Sequence, residues 1–141
     1  MERKPQILIL DDEPIVGKRL KPALEKYGCE VEVFEDGKKA LERFNEKHFD
    51  IVVTDVRMEE IDGLQVLEQV KAKSAETKVI IITGYATIEV AREALIKGAF
   101  DFIAKPFKPN DLRLIVERAA KSMGFKDLSL RRKEDEKSKN E

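Results

Sequence analysis

Tryptophan is absent from this 141-residue chain, and cysteine and histidine each occur once. The lone thiol, Cys29, has no second cysteine for a disulfide and no set of partners for a zinc site, so it reads as a small buried apolar residue. The lone imidazole, His48, leaves no cluster for zinc or iron and reads as a solvated residue ahead of a strand. No Ser-His or Cys-His couple offers itself as a nucleophile. Apolar runs are short: none approaches the roughly 18 residues of a membrane span, and the stretch after Pro5 is too brief for a secretion signal. The expectation is a soluble, cytoplasmic chain with no membrane partner. An excess of one charge is missing too: 27 Lys+Arg face 28 Asp+Glu, for a net charge of -1. Without a basic field, direct nucleic-acid binding is not expected. The glycines stand at 17, 28, 37, 63, 84, 98 and 124, and build neither Gly-x-Gly-x-x-Gly nor Gly-x-x-x-x-Gly-Lys-Ser/Thr, the loops that cradle nucleotides.

What is present is 42% hydrophobic and 39% charged, on a length that suits one domain with a real core. Five short runs rich in Ile, Val or Phe read as strands, at 6–10, 30–34, 51–54, 78–83 and 100–104. The first, third and fourth are apolar without alternation, which predicts strands covered on both faces. Helical spacing fills the gaps. Pro14 suits a first helical position, and Ile15, Val16, Leu20, Leu24 and Tyr27 mark one face up to Gly28. Pro22 removes a backbone donor inside that helix and predicts a bend or a break there. Asp36 caps a second helix carrying Ala40, Leu41 and Phe44, and Gly63 opens a third with Leu64, Val66, Leu67 and Val70. Thr87 caps a fourth with Val90, Ala91, Ala94 and Leu95, stopped by Gly98. Pro109 starts a fifth with Leu112, Ile115, Val116 and Ala119, stopped by Gly124. Strand and helix alternating five times predict an α/β fold, a parallel sheet with helices on both faces. After Gly124 the composition changes: residues 126–141 are crowded with Lys, Arg, Asp and Glu. They read either as a frayed extension of the last helix into a solvated tail or as a partner-binding helix. The division expected is a domain over 1–125 and a charged C-terminal tail over 126–141.

Open parallel sheets bind ligands at the carboxyl ends of their strands. Here those ends carry Asp11, Asp12 and Glu13, then Asp55, then Thr83, then Lys105. Clustered carboxylates repel one another unless a cation sits among them, and an all-oxygen set suits Mg²⁺. Lys105 and Thr83 suit an anionic oxygen, so a phosphoryl group fits the remaining space. The attacking group is then an ionised carboxylate. Asp55, alone at the end of a central apolar strand, is the best placed, while the adjacent pair Asp11 and Asp12 suits the metal. Each residue also has an ordinary reading: Asp12 or Glu13 as a helix-capping acid, Asp55 as a loop acid, Thr83 as a strand end, Lys105 as surface.

Taken together, Ile-Leu-Ile-Leu-Asp11-Asp12-Glu13-Pro14, Thr54-Asp55-Val56-Arg57-Met58, Asp62-Gly63, Thr83-Gly84-Tyr85-Ala86 and Lys105-Pro106-Phe107 resemble the receiver domain of two-component response regulators. The resemblance covers about residues 5–123 and is closest in style to receivers of the nitrogen-regulation type. It implies a flavodoxin-like, doubly wound five-stranded parallel sheet of order 2-1-3-4-5 with five helices. It implies Asp55 as phosphoacceptor, with Mg²⁺ held by Asp12, Asp55 and the backbone carbonyl of Arg57, and Asp11 assisting. It implies Lys105 against the phosphoryl oxygens, Thr83 and Phe102 as a switch pair, and a cis Lys105-Pro106 bond. Glu59 stands where the family commonly has Pro, and Phe102 lacks the hydroxyl of a Tyr, so a switch there works by packing.

The function so implied is a signalling switch, not an enzyme: a receiver that takes a phosphoryl group from a sensor histidine kinase or histidine phosphotransfer protein. Its own chemistry would be self-catalysed phosphotransfer and slow autodephosphorylation. Output would reach a downstream protein through the face over 87–123, and a phosphorylation-dependent homodimer fits the same face. Slow dephosphorylation follows from Arg57 and Tyr85, two large side chains expected to border the path of an attacking water. The alternative is that both face solvent. A small aspartyl-phosphate phosphatase is the rival class, but its Asp-x-Asp pattern is not matched by Asp11-Asp12-Glu13. A receiver that acts only as a scaffold is the third reading.

Overall fold

A computed structural model describes residues 3–56, 61–84 and 87–126. Among these described residues, five strands and five helices alternate. They are β1 (Gln6–Leu10), α1 (Pro14–Glu25), β2 (Glu30–Phe34), α2 (Gly37–Glu46), β3 (Ile51–Asp55), α3 (Gly63–Lys73), β4 (Lys78–Thr83), α4 (Ile88–Ile96), β5 (Asp101–Ala104) and α5 (Pro109–Ser122). All neighbouring strands are parallel, in the order β2-β1-β3-β4-β5. The expected α/β architecture and strand order are those observed.

Local signals set the element bounds. The Asp36 side chain accepts from the backbone N–H groups of Lys38 and Lys39, and Thr87 accepts from Val90. Asp62 and Gln65 form a reciprocal capping box that holds Gly63 at the start of α3. Gly28, Gly98 and Gly124 follow α1, α4 and α5 with φ of 85°, 101° and 94°, a conformation that costs glycine little.

The apolar runs of β1, β3 and β4 feed two cores at once. Ile7, Ile9, Ile51, Val53, Ile80 and Ile82 pack under α1 and α5, with Leu20, Leu24, Leu112 and Val116. Leu8, Leu10, Val52, Val79 and Ile81 face the other way, onto Ala40 and Phe44 of α2 and Val66, Leu67 and Val70 of α3. Each such side chain taken from water is worth about 1.5–3 kcal/mol, so the three central strands anchor both cores. Cys29 is buried, and His48 is half exposed beside Asp50, both as expected.

Four details differ from the sequence reading. β3 runs one residue further than 51–54: Asp55 still pairs with Ile82, so its backbone is part of the ladder. β5 starts at Asp101, which pairs with Ile80; Phe100 precedes it, with its N–H bonded to the Val79 carbonyl at 2.7 Å. α1 continues through Pro22 to Glu25 without a break. Pro22 lies in the last turn, where it forfeits one ladder bond, and its carbonyl still accepts from Lys26 N. Ile15 and Leu95 are half exposed, since only Gly17, Leu20 and Leu24 of α1 and only Ala94 of α4 are fully buried.

Candidate functional site

The carboxyl ends of β1, β3, β4 and β5 lie along one edge of the sheet, and the charged residues of the sequence converge there. Asp11 leaves β1 with its N–H bonded to the Phe34 carbonyl at 3.1 Å. Its Oδ1 accepts from the Glu13 N–H at 2.9 Å, closing a tight turn that leads into α1. Asp55 is held by the β3–β4 ladder, and the Thr54 hydroxyl donates to its carbonyl at 3.0 Å. Lys105 reaches across from the end of β5, with its N–H bonded to the Thr83 carbonyl at 2.8 Å. The Lys105-Pro106 peptide bond is cis.

The Lys105 ammonium is the hub. Its Nζ lies 2.8 Å from Asp11 Oδ2, 2.8 Å from Asp55 Oδ2 and 3.2 Å from Glu13 Oε1. Burial works to lower its pKa, but the hydrogen bonds and charges of Asp11 and Asp55 outweigh it, so the ammonium is held more firmly than an ordinary lysine's. Asp11 moves the opposite way from a simple ion pair. Burial raises its pKa and the adjacent Asp55 charge adds to this, while Lys105 and the Glu13 N–H only partly offset it. Asp11 is thus a desolvated carboxylate short of positive charge.

Asp11, Asp12, Glu13 and Asp55 each bring a carboxylate oxygen within 4.8 Å of the others. Asp11 and Asp55 are buried, whereas Asp12 and Glu13 are exposed on the rim. Asp11 Oδ2 is buried, with the Lys105 ammonium 2.8 Å away. An oxygen-only cluster of four carboxylates, two of them buried, fits a hard divalent cation.

Gly63 sits against this edge. A Cβ placed on it would lie 2.0 Å from the Asp55 carbonyl oxygen and 2.8 Å from its carbonyl carbon. Its N–H donates to the Val56 carbonyl at 2.7 Å. From sequence it opened α3 and stood in the Asp62-Gly63 motif of the resemblance; its close approach to Asp55 was not read there.

The structure therefore brings together Asp11, Asp12, Asp55 and Lys105, as the sequence suggested, and adds Glu13 to Lys105. Thr83 ends β4 fully buried, and its main chain anchors Lys105. Phe102 pairs with Ile81 and is partly buried against the core of α2 and α3, on the same sheet face as Thr83 by the alternation of β4. Arg57, Glu59 and Tyr85 lie outside the described residues, as do 127–141.

A family model for the response regulator receiver domain matches residues 7–117. The chain belongs to the response regulator receiver family. This receiver is 41% identical over 121 residues to the regulatory protein AtoC of Escherichia coli K12, covering 86% of the chain and 26% of AtoC. It is 38% identical over 113 residues to the transcriptional regulatory protein ZraR of Escherichia coli O157:H7, covering 80% of the chain and 26% of ZraR. Both relatives fit the nitrogen-regulation style. Among solved structures, a receiver domain protein from Clostridium thermocellum superposes with a TM-score of 0.79 at 30% identity, covering 84% of the chain and 96% of the other. The receiver thus spans about a quarter of the length of the two curated relatives. Because ZraR is named a transcriptional regulator, the expectation of no nucleic-acid partner gains no support. Among the described residues, no helix is long and apolar enough to cross a membrane.

Proposed function

We propose that Asp55 is the phosphoacceptor of this receiver, and that it takes its phosphoryl group from the phosphohistidine of a sensor histidine kinase or a histidine phosphotransfer protein. The single observation that carries this reading is the Lys105 ammonium, 2.8 Å from both Asp55 and Asp11 in a pocket of four carboxylates. An Asp55 carboxylate oxygen attacks phosphorus. A P–O bond forms, the P–N bond breaks, and its electron pair returns to the imidazole, which recovers a proton. Lys105 then follows the charge from carboxylate to phosphoryl oxygen. Asp11, Asp12, Asp55 and the Arg57 carbonyl would hold Mg²⁺, which supplies charge neutralisation at the phosphoryl oxygens. A groove of about 470 Å³ lined by Ile15, Val16, Leu20 and Phe107 opens beside Lys105, and we assign it to the approaching phosphodonor.

We assign Thr83 and Phe102 to the switch that reads the modification, through a shared sheet face. Output is assigned to the 87–123 face, where Ile88, Leu95 and Ile96 of α4 and Leu114 of α5 are exposed. A downstream protein, or a second copy of the chain in a phosphorylation-dependent homodimer, would cover them. Residues 1–125 form the receiver and 126–141 a charged tail in this reading, with a cytoplasmic location. The receiver is a phosphoacceptor, not a turnover catalyst, and Arg57 and Tyr85 are assigned to slowing the loss of phosphate.

The test is intact-mass spectrometry after acetyl phosphate and Mg²⁺. The chain should gain one phosphoryl group, and Asp55→Asn none. Equal labelling of both would reassign the acceptor. Repeated turnover of a chromogenic phosphate ester would point instead to a phosphatase.

A further inference from the structure

Glu13 occupies the N-cap position of α1, yet its side chain makes no capping hydrogen bond. Glutamate is not among the side chains that cap well, and the Val16 N–H of the first turn is taken by the Glu13 carbonyl at 3.1 Å. The carboxylate has no capping role to fill, and it reaches Lys105, 92 residues away in sequence. Lys105 Nζ donates to Glu13 Oε1 at 3.2 Å while its other contacts, Asp11 and Asp55, are both buried. The Glu13 side chain is 62% exposed, so it stands at the mouth of the pocket. Beside it open Gly84 and Pro106, in the groove through which a donor would approach.

We propose that Glu13 is a positioning residue that holds the Lys105 ammonium at the rim in the resting receiver and so restrains phosphorylation. The proposal rests on the reading of Asp55 as phosphoacceptor. A phosphoryl donor is an anion, and it must draw Lys105 away from carboxylate oxygens to be gripped. Asp55 loses its own claim on Lys105 as its oxygen becomes part of an acyl phosphate, and Asp11 stays buried and fixed by the Glu13 N–H. Glu13 is the one of the three with a side chain long and exposed enough to follow the ammonium outward and compete for it. It also places a negative charge where the anionic donor arrives. Both effects oppose donor binding, and neither belongs to the ground-state packing of α1.

The experiment measures phosphorylation of the full chain by acetyl phosphate at saturating Mg²⁺, for wild type, Glu13→Ala, Glu13→Asp and Asp55→Asn. Glu13→Ala should lower KM for acetyl phosphate about three- to tenfold, the size expected of one partly screened charge close to an anion. Glu13→Asp keeps the charge but is one methylene too short for Lys105, so it should shift in the same direction as Glu13→Ala. A wild-type KM for Glu13→Asp beside a lowered KM for Glu13→Ala would show bare charge repulsion and overturn the grip on Lys105. An unchanged KM in Glu13→Ala overturns the proposal outright.

A second readout needs neither metal nor phosphate. In the metal-free chain, the ¹H–¹⁵N signal of the Lys105 ammonium, assigned by its loss in Lys105→Arg, should exchange faster with water in Glu13→Ala. An unchanged exchange rate overturns the proposal. The Asp55→Asn arm separates the two readings. If it labels as well as wild type, the phosphoacceptor assignment falls and takes this inference with it. If labelling requires Asp55 and KM does not move, only the role of Glu13 falls.

Discussion

Gly63 and Asp55 are packed main chain to main chain: a single added Cβ on Gly63 would stand 2.0 Å from the Asp55 carbonyl oxygen. The first residue of α3 is therefore built into the end of β3, and the phosphoacceptor candidate is clamped between the β4 ladder and the start of a helix. A backbone placed from two sides keeps its carboxylate at a fixed point relative to Asp11 and Lys105.

Gly63→Ala should consequently be costly. The obstructing atoms are backbone, which cannot turn aside as a side chain can. Overpacking of this kind costs about 2–3 kcal/mol, which for a domain of this size lowers Tm by roughly 5–10 °C. Differential scanning calorimetry checks it, and an unchanged Tm would mean that α3 and β3 are not in such close contact. Gly84→Ala is the control, since a Cβ there meets nothing within 4 Å.

Lys105→Ala should destabilise the metal-free protein. It leaves Asp11 and Asp55, both buried, without the ammonium that lies 2.8 Å from each. Removing one partner of a buried ion pair costs about 3 kcal/mol or more. Mg²⁺ should recover part of the loss by supplying positive charge to the same oxygens. Thermal melts with and without Mg²⁺ decide it: a variant as stable as wild type would show that Lys105 is not the group balancing these carboxylates.

Mg²⁺ should raise the Tm of the unmodified chain. Only the folded state assembles Asp11, Asp12 and Asp55, so binding adds about 1.4 kcal/mol at a concentration ten times Kd. Asp12→Ala should abolish the response and, by easing repulsion at the rim, melt slightly higher in metal-free buffer. If it melts lower and still responds to Mg²⁺, the cation binds elsewhere.

Glu32 gives a pH dependence remote from the site. Its carboxyl is held below its ordinary pKa, first by the hydrogen bond from Arg43, against some burial, and then by Lys47. A depressed folded-state pKa contributes stability that is present above the unfolded value and lost as pH falls through the folded one. Glu32→Gln should thus lower Tm by a few degrees at most at neutral pH, because the pairs with Arg43 and Lys47 are partly solvated. The two melting curves should begin to converge as pH falls below roughly 4, where the unfolded-state carboxyl takes up its proton, and should meet only once the folded-state carboxyl is protonated as well. A difference that does not shrink as pH falls through this range would mean that packing, not charge, underlies it.

The element plan was legible in the sequence because its signals act within one turn of chain. Asp36 and Thr87 cap the helices they precede, and Pro14 and Pro109 occupy first-turn positions where a missing N–H costs nothing. Unbroken apolar runs predicted strands covered on both faces, and the cores on either side of β1, β3 and β4 bear that out. The acidic pair and the lone Asp after apolar runs were legible as well, since a parallel sheet puts successive strand ends on one edge.

Tertiary structure decided what depends on the distance between segments. Lys105 meets Asp55 across 50 residues and Glu13 across 92, and no local pattern encodes that the ammonium would hold three carboxylates and not face water. The exposure of Ile15 and Leu95 likewise depends on how far their helices sit from the sheet, because helical spacing names an apolar stripe but not its depth. The same holds for Gly63, whose missing side chain matters only because β3 ends against it. Local backbone preferences fix where each strand and helix begins; which charges share a pocket is set by strand register and helix packing, which sum over the whole chain.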